Sequence, residues 1–329
     1  MATIVVTGAG GYLGGAVTLA ASRVGTVRPV TRRPSPWLPG EALVCDDLVA
    51  AAEVAVEGAD AVVHLAGANE ITSKDDPDAA LAATASAARA VGEACRRQKV
   101  ARLVYVSTIH VYGTWLAGTS RITEEVIPAP RSAYSVARLA CEHILAAAAG
   151  DDALVVLRLS NAVGAPADSS IDRWSLLVND LCRRAARGFP LELRTPGGLR
   201  DFIALGDVTR IVLAACCPER LDSGTYNLAS GSTMTVAEMA TLVADESEKA
   251  GMRRPEIIGV HDQSPRKVHA QGDLLDRVGI SPPAAVEERY RIDASRLASR
   301  GLSAELPLGA AIAETLQMCR TWKEGWREL

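Results

Sequence analysis

The feature that most constrains this chain is the run Thr7-Gly8-Ala9-Gly10-Gly11-Tyr12-Leu13-Gly14. Glycines at 8, 11 and 14 fall three apart, between a short β-branched run, Thr3–Thr7, and a stretch with helical spacing, Leu13–Arg23. Each glycine has its own task in such a place. Gly8 permits a tight turn out of the strand, Gly11 lets the backbone approach a pyrophosphate, and Gly14 lets the helix pack closely on the sheet. The helix start, with Tyr12 and Leu13 in its first turn, then offers free N–H groups and the positive end of its dipole to phosphate. A strand, glycine turn and helix in this order predict a dinucleotide site at the very start of the fold.

The pattern continues. Val27–Thr31, Ala42–Val44, Asp60–Leu65, Arg102–Ser107 and Leu154–Leu159 are further strand-length apolar runs, and residues 79–98 and 133–149 are long Ala-rich helical stretches. Continuous apolar strands alternating with helices predict a parallel sheet covered on both faces. After about Ala165 the pattern loosens, and 202–205, 207–215 and 225–228 read as a return to the first lobe. The expected fold is α/β: a Rossmann-type doubly wound parallel sheet with a smaller C-terminal substrate lobe. Residues 1–164, joined by 202–228, would form the dinucleotide-binding domain. Residues 165–201 and 229–329 would form the substrate-binding lobe, which includes a Pro- and charge-rich stretch from Pro255 to Arg291.

Composition narrows the class. With 329 residues, 48% of them hydrophobic, the chain can bury a large core, and a net charge of −4 gives no basic footprint for nucleic acid. Seven cysteines, with no C-x-x-C pair, point to reduced thiols rather than a disulfide framework or metal centre. No basic stretch followed by an apolar run opens the sequence, and no apolar stretch is long enough to span a bilayer, so neither a secretory signal nor a membrane partner is expected. The expected location is cytoplasmic.

Further motifs carry a resemblance. His64-Leu65-Ala66-Gly67, Asp47-Leu48, Val106-Ser107-Thr108-Ile109-His110-Val111-Tyr112-Gly113, Leu157-Arg158 with Asn161-Ala162-Val163-Gly164, Arg200-Asp201-Phe202-Ile203 with Asp207-Val208, and Tyr226-Asn227-Leu228 fall in order along the chain. Together with the glycine run they resemble the extended short-chain dehydrogenases, the family of NDP-sugar epimerases, dehydratases and reductases. The resemblance implies that Leu65, Ala66, Gly67 and Ser107 line the cofactor cleft and that Asp47 and Leu48 receive the adenine. It also implies a homodimer through the helices at 79–98 and 133–149, whose small side chains allow close approach.

The family's catalytic set is a Ser or Thr, a Tyr, and a Lys four residues after the Tyr. Hydride transfer at a sugar carbon requires a proton to move at the attached oxygen, and a phenol beside a cation can move it. Thr108 and Tyr134 fill the first two places, and Arg138 stands where the family has Lys. Spacing i to i+4 puts Tyr134 and Arg138 on one helix face, so the cation is near the phenol; the resemblance implies that it also holds the nicotinamide ribose. Arg is planar and permanently charged, so it cannot relay a proton as an ammonium might. The plainer alternative is a core Tyr with a solvated Arg.

Residues around this set narrow the reaction. Ile109 and His110 follow Thr108 where the family's dehydratases and decarboxylases carry carboxylates and its 3,5-epimerising reductases a Cys. What remains is a 4-ketoreductase or 4-epimerase of a nucleotide-linked sugar. His110, Asn161, Asn179 and Arg200, with Thr108, are the substrate candidates. A guanidinium at 200 suits a diphosphate, the alternative being a salt bridge to Asp201 or Asp207. The second strand ends in Thr31-Arg32-Arg33 with no acid for ribose hydroxyls, so NADP(H) is favoured over NAD(H), with Arg32 and Arg33 on the 2′-phosphate. Two other readings stay open: a catalytically impaired dinucleotide-binding protein, and a reductase of a non-sugar carbonyl such as a cyclitol or polyketide.

Overall fold

The computed structural model describes residues 2–117, 121–259 and 289–321. The chain opens with β1 (Thr3–Thr7), α1 (Tyr12–Ala21), β2 (Thr26–Thr31), β3 (Leu43–Val44), α2 (Leu48–Val56) and β4 (Ala61–His64). A short α3 (Thr72–Asp75) and a long α4 (Pro77–Arg97) lead to β5 (Arg102–Thr108), a 3-10 segment (Ile109–Ala117), β6 (Arg121–Ile122), α5 (Ala133–Ala149) and β7 (Leu154–Leu159). β8 (Asn161–Val163), α6 (Leu177–Ala186), β9 (Leu191–Leu193), β10 (Leu199–Ala204), α7 (Leu205–Ala215) and β11 (Gly224–Leu228) follow. The described remainder is β12 (Thr233–Thr235), α8 (Val236–Lys249), β13 (Ile257–Gly259), β14 (Arg291–Ile292), α9 (Ser295–Ala298) and α10 (Leu308–Thr321). Most of the expected charge-rich stretch before Arg291 lies outside the described residues.

The main sheet has seven strands in the order β11-β7-β5-β4-β1-β2-β3, all pairs parallel. β4, β5 and β7 are buried along their whole length, as continuous apolar strands between two helical layers must be. Side chains alternate between the layers. Val104, Val106, Val155 and Leu157 join the core against α1 and α7, while Leu103, Tyr105, Leu154 and Val156 join the core against α4 and α5. The α4–α5 approach is close because small residues meet: a methyl placed on Gly92 would lie 2.9 Å from the Ala148 methyl. This is the Rossmann-type doubly wound fold expected from the sequence. The chain runs outward from β1 through β2 to β3, then returns to β4, so the strand order reverses between β1 and β4. Open α/β sheets bind ligands at such a reversal.

A second core, built around Trp174, Phe202, Met239 and Ile312, gathers α6, α8 and α10. A small sheet of order β12-β10-β8 joins the two cores. β10 straddles the junction: Phe202 faces the second core and its neighbour Ile203 the first. The return to the main sheet is made by β11, beside β7, and α7 packs under it on the first core.

Candidate active site

The glycine run builds a closed turn. Gly8 has φ +72°, and a Cβ there would meet the Ala66 N at 2.8 Å. Thus β1 and β4 end in contact at the point of strand reversal. The Gly11 N–H donates to the Gly8 carbonyl at 3.0 Å. A Cβ on Gly14 would lie 2.0 Å from the Gly8 oxygen, so only glycine lets α1 begin so close to the turn. No side chain caps the N-terminus of α1, whereas Asp47, Asp76 and Ser132 cap α2, α4 and α5. A bare helix start behind a turn this tight fits the phosphates of a dinucleotide. Tyr12 would serve it through its backbone only, because its phenol is buried and donates to the Gly164 carbonyl at 2.7 Å. Leu13 packs on the first core.

The wall beside the turn is pinned by Thr7. Its Oγ1 accepts from the N–H groups of Leu65 and Ala66 and lies 2.8 Å from His64 Nδ1. With both lone pairs engaged, the Thr7 hydroxyl proton goes to Nδ1, which places the ring proton on Nε2. That Nε2 is buried with no partner among the described residues. Burial, with Arg138 nearby as the second cause, pushes the His64 pKa down to about 3. Gly67 follows at φ +158°, over Thr84 and the Arg138 guanidinium, and Thr84 accepts the Ala68 N–H at 3.0 Å.

Tyr134 and Arg138 sit in the first two turns of α5, with Ser132 and Ser135 forming a reciprocal cap. The Arg138 Cζ lies over the Tyr134 ring, 5.2 Å from its centroid, and Nη2 donates to the Ala68 carbonyl at 3.3 Å. Arg138 is buried, and its Nε has no partner among the described residues. The expected helix-face pairing of phenol and cation is present, and the solvated-Arg alternative is not. Thr108 ends β5, buried, its Oγ1 accepting the His110 N–H at 3.2 Å. Ser107, one residue earlier on the opposite face of the strand, donates its hydroxyl to Glu142 at 2.5 Å. Its side chain is therefore engaged with α5.

The substrate candidates separate into two groups. Arg200 pairs with neither nearby carboxylate. Asp201 accepts from Ser230 and Ser232, and Asp207 from Arg210 and the N–H groups of Glu305 and Leu306. The Arg200 Nε is buried without a partner among the described residues. Arg200 stands close to His110, whose pKa is lowered by burial first and by this charge second, with Glu70 opposing. Asn161 donates its amide to the Asp201 carbonyl at 2.7 Å, which leaves its side-chain oxygen open. Asn179, on α6, is 1% exposed and donates to the Arg173 carbonyl at 3.2 Å.

Past β3, one Asp47 oxygen caps α2 through Val49 and Ala50, and Leu48 begins that helix, half-buried. Arg32 and Arg33 are exposed just past β2. Two residues here had no sequence signal. Glu70, after the β4 loop, accepts from Arg173 at 2.7 Å, an ion pair between residues 103 positions apart. The segment leading to Arg173 lies against α1, with the Ala167 methyl 2.9 Å from where a Cβ on Gly15 would be. The pair therefore links the two walls of the glycine turn.

Fold and site together define a Rossmann-type α/β protein with a glycine turn after its first strand, a stacked Tyr and Arg at the start of α5, and a buried Thr at the end of β5. The chain matches the NAD dependent epimerase/dehydratase family over residues 4–229, and it belongs to that family. Among characterised relatives it is 35% identical over 151 residues to dTDP-6-deoxy-L-talose 4-dehydrogenase (NAD(P)(+)) from Kitasatospora kifunensis, covering 45% of this chain and 46% of that one. It is 28% identical over 166 residues to dTDP-L-rhamnose 4-epimerase from Burkholderia thailandensis, covering 49% of this chain and 44% of the relative. The matched stretch thus spans just under half of each relative. UDP-N-acetylglucosamine 4-epimerase from Bacillus cereus has the same fold, with a TM-score of 0.76, 22% identity and 99% of both chains covered.

Proposed function

We propose that this protein is an NAD(P)-dependent oxidoreductase acting at C4 of a nucleotide-linked sugar, as a 4-ketoreductase or a 4-epimerase. The observation that carries this reading is the stack of Arg138 on Tyr134, at the start of α5 and against the loop beside the glycine turn. It holds a phenol and a fixed positive charge together against the loop that follows β4. Bound at the turn, a nicotinamide dinucleotide supplies or accepts the hydride. Thr108 then holds the sugar oxygen and Tyr134 moves the proton at that oxygen. Arg138 keeps the phenol oriented and meets the ribose. Arg200, free of both adjacent carboxylates, takes the diphosphate in a bidentate grip. Arg32 and Arg33 favour NADP(H). The named activities of the two characterised relatives, both at C4 of a dTDP-linked deoxysugar, support the same position on the sugar.

The test is incubation with dTDP-6-deoxy-L-talose and with dTDP-L-rhamnose, each with NADP+ or NAD+. Net nicotinamide reduction identifies a dehydrogenase/ketoreductase, and inversion at C4 without net reduction identifies an epimerase. A protein that binds dinucleotide yet changes neither these sugars nor their UDP- and GDP-linked counterparts would overturn the proposal. That outcome would favour a dinucleotide-binding role, to which the Arg at position 138 also lends itself.

A further inference from the structure

Beneath the site, a chain of buried polar side chains crosses the sheet. Glu142 lies one turn after Arg138 and two after Tyr134 on α5, so the three share a helix face. Its Oε1 accepts from the Ser107 hydroxyl at 2.5 Å and from Arg158 Nε at 3.2 Å. Its Oε2 accepts from Arg158 Nη2 at 2.8 Å. Arg158, on β7, also donates Nη1 to the Tyr112 hydroxyl at 3.1 Å and lies over that ring. Tyr112 donates in turn to Asn227 on β11 at 2.7 Å. All five side chains are buried.

A buried ion pair is a poor means of gaining stability, because desolvation offsets most of its attraction and an apolar pair of similar volume often serves as well. What it does supply is direction: forked bonds to a carboxylate fix both partners' orientation. Here the fixed points matter. Ser107 directly precedes Thr108, and Glu142 rides on the helix that carries Tyr134. The carboxylate therefore ties the end of β5 to α5 beside the two groups that must share one sugar oxygen. We infer that Glu142, with Arg158 and Ser107, is a positioning residue that sets the separation of the Thr108 hydroxyl and the Tyr134 phenol. It touches neither substrate nor cofactor. The inference rests on the reading of Thr108 and Tyr134 as the reacting pair.

Two variants test it. Ser107→Ala cuts only the tie to β5. The double variant Glu142→Leu/Arg158→Met keeps the buried volume and leaves no unpaired charge. Turnover of dTDP-6-deoxy-L-talose with NADP+ should show kcat lowered about tenfold or more, since small misplacements are costly. KM, NADP+ affinity and melting temperature should stay near wild type. An unchanged kcat in folded Ser107→Ala, or losses in KM and melting alone, would overturn the inference. Should wild type act on no sugar, the functional reading fails separately, and amide exchange across residues 133–142 with NADPH bound decides this one. Faster exchange in Ser107→Ala supports the tie as what holds α5 in place, and identical rates refute it.

Discussion

Arg138 lies face-on to Tyr134, its Cζ 5.2 Å from the ring centroid, and bonds the Ala68 carbonyl on its other side. One guanidinium thus joins α5 to the loop after β4. Arg138→Ala removes the stack and the bond together. NADP+ affinity should fall about tenfold or more, the scale of a lost charged hydrogen bond, and turnover should fall with it. Arg138→Lys keeps the charge at the same helix position, so it should remain active. Isothermal titration of NADP+ checks the first statement, and an Arg138→Ala protein that binds as wild type does would refute it.

The glycine turn separates packing from ligand approach. A Cβ on Gly14 meets the Gly8 oxygen at 2.0 Å, whereas a Cβ on Gly11 has 3.2 Å. Gly14→Ala should therefore lower stability by about 1–3 kcal/mol, the usual range for overpacking. Gly11→Val should stay folded and lose dinucleotide binding. Urea unfolding with a parallel binding titration distinguishes them, and a folded Gly11→Val protein of normal affinity would contradict the phosphate role.

His64 gives stability a pH dependence of known sign. Its folded pKa is depressed to about 3, with burial the main cause, so below its ordinary value the unfolded chain takes up a proton that the folded chain refuses. Stability through this group is complete above about 6.5 and falls as pH drops toward 3, by at most about 1.4 kcal/mol per pH unit. His64→Asn, whose amide oxygen can accept the Thr7 hydroxyl, should flatten that part of the curve by one proton. Identical slopes for wild type and variant between pH 6.5 and 4 would show that His64 does not titrate in this way.

Arg32 and Arg33 are exposed beyond β2, and the β2 end offers no carboxylate for ribose hydroxyls. NADP+ should bind more tightly than NAD+, and the gap should shrink in Arg32→Ala/Arg33→Ala. A wild-type preference for NAD+ would remove these residues from the site.

Where chemistry is local, the sequence declared it. The glycine turn is eight consecutive residues, and Tyr134 with Arg138 is a single helical turn, so backbone geometry alone brings their parts together. Glu142 continues the same four-residue spacing and was within reach of that argument. Its role was hidden because Ser107 and Arg158 meet it only across the sheet. Glu70 and Arg173 carry no shared pattern at all, since their contact depends on how the second lobe folds over α1. Asn179 shows what packing adds: a polar residue on a helix gives no sign in the sequence of which face is buried, and here it is 1% exposed.

The most direct test of the proposed chemistry is Tyr134→Phe. The substitution removes one oxygen, keeps the ring beneath Arg138 and leaves the glycine turn untouched. With NADP+ and the sugar that wild type accepts, turnover should vanish while the dinucleotide dissociation constant stays within about twofold, as expected of a group that acts in the reaction step and not in binding. Turnover that survives Tyr134→Phe would contradict the account, because the proton at the sugar oxygen would then have to come from another group.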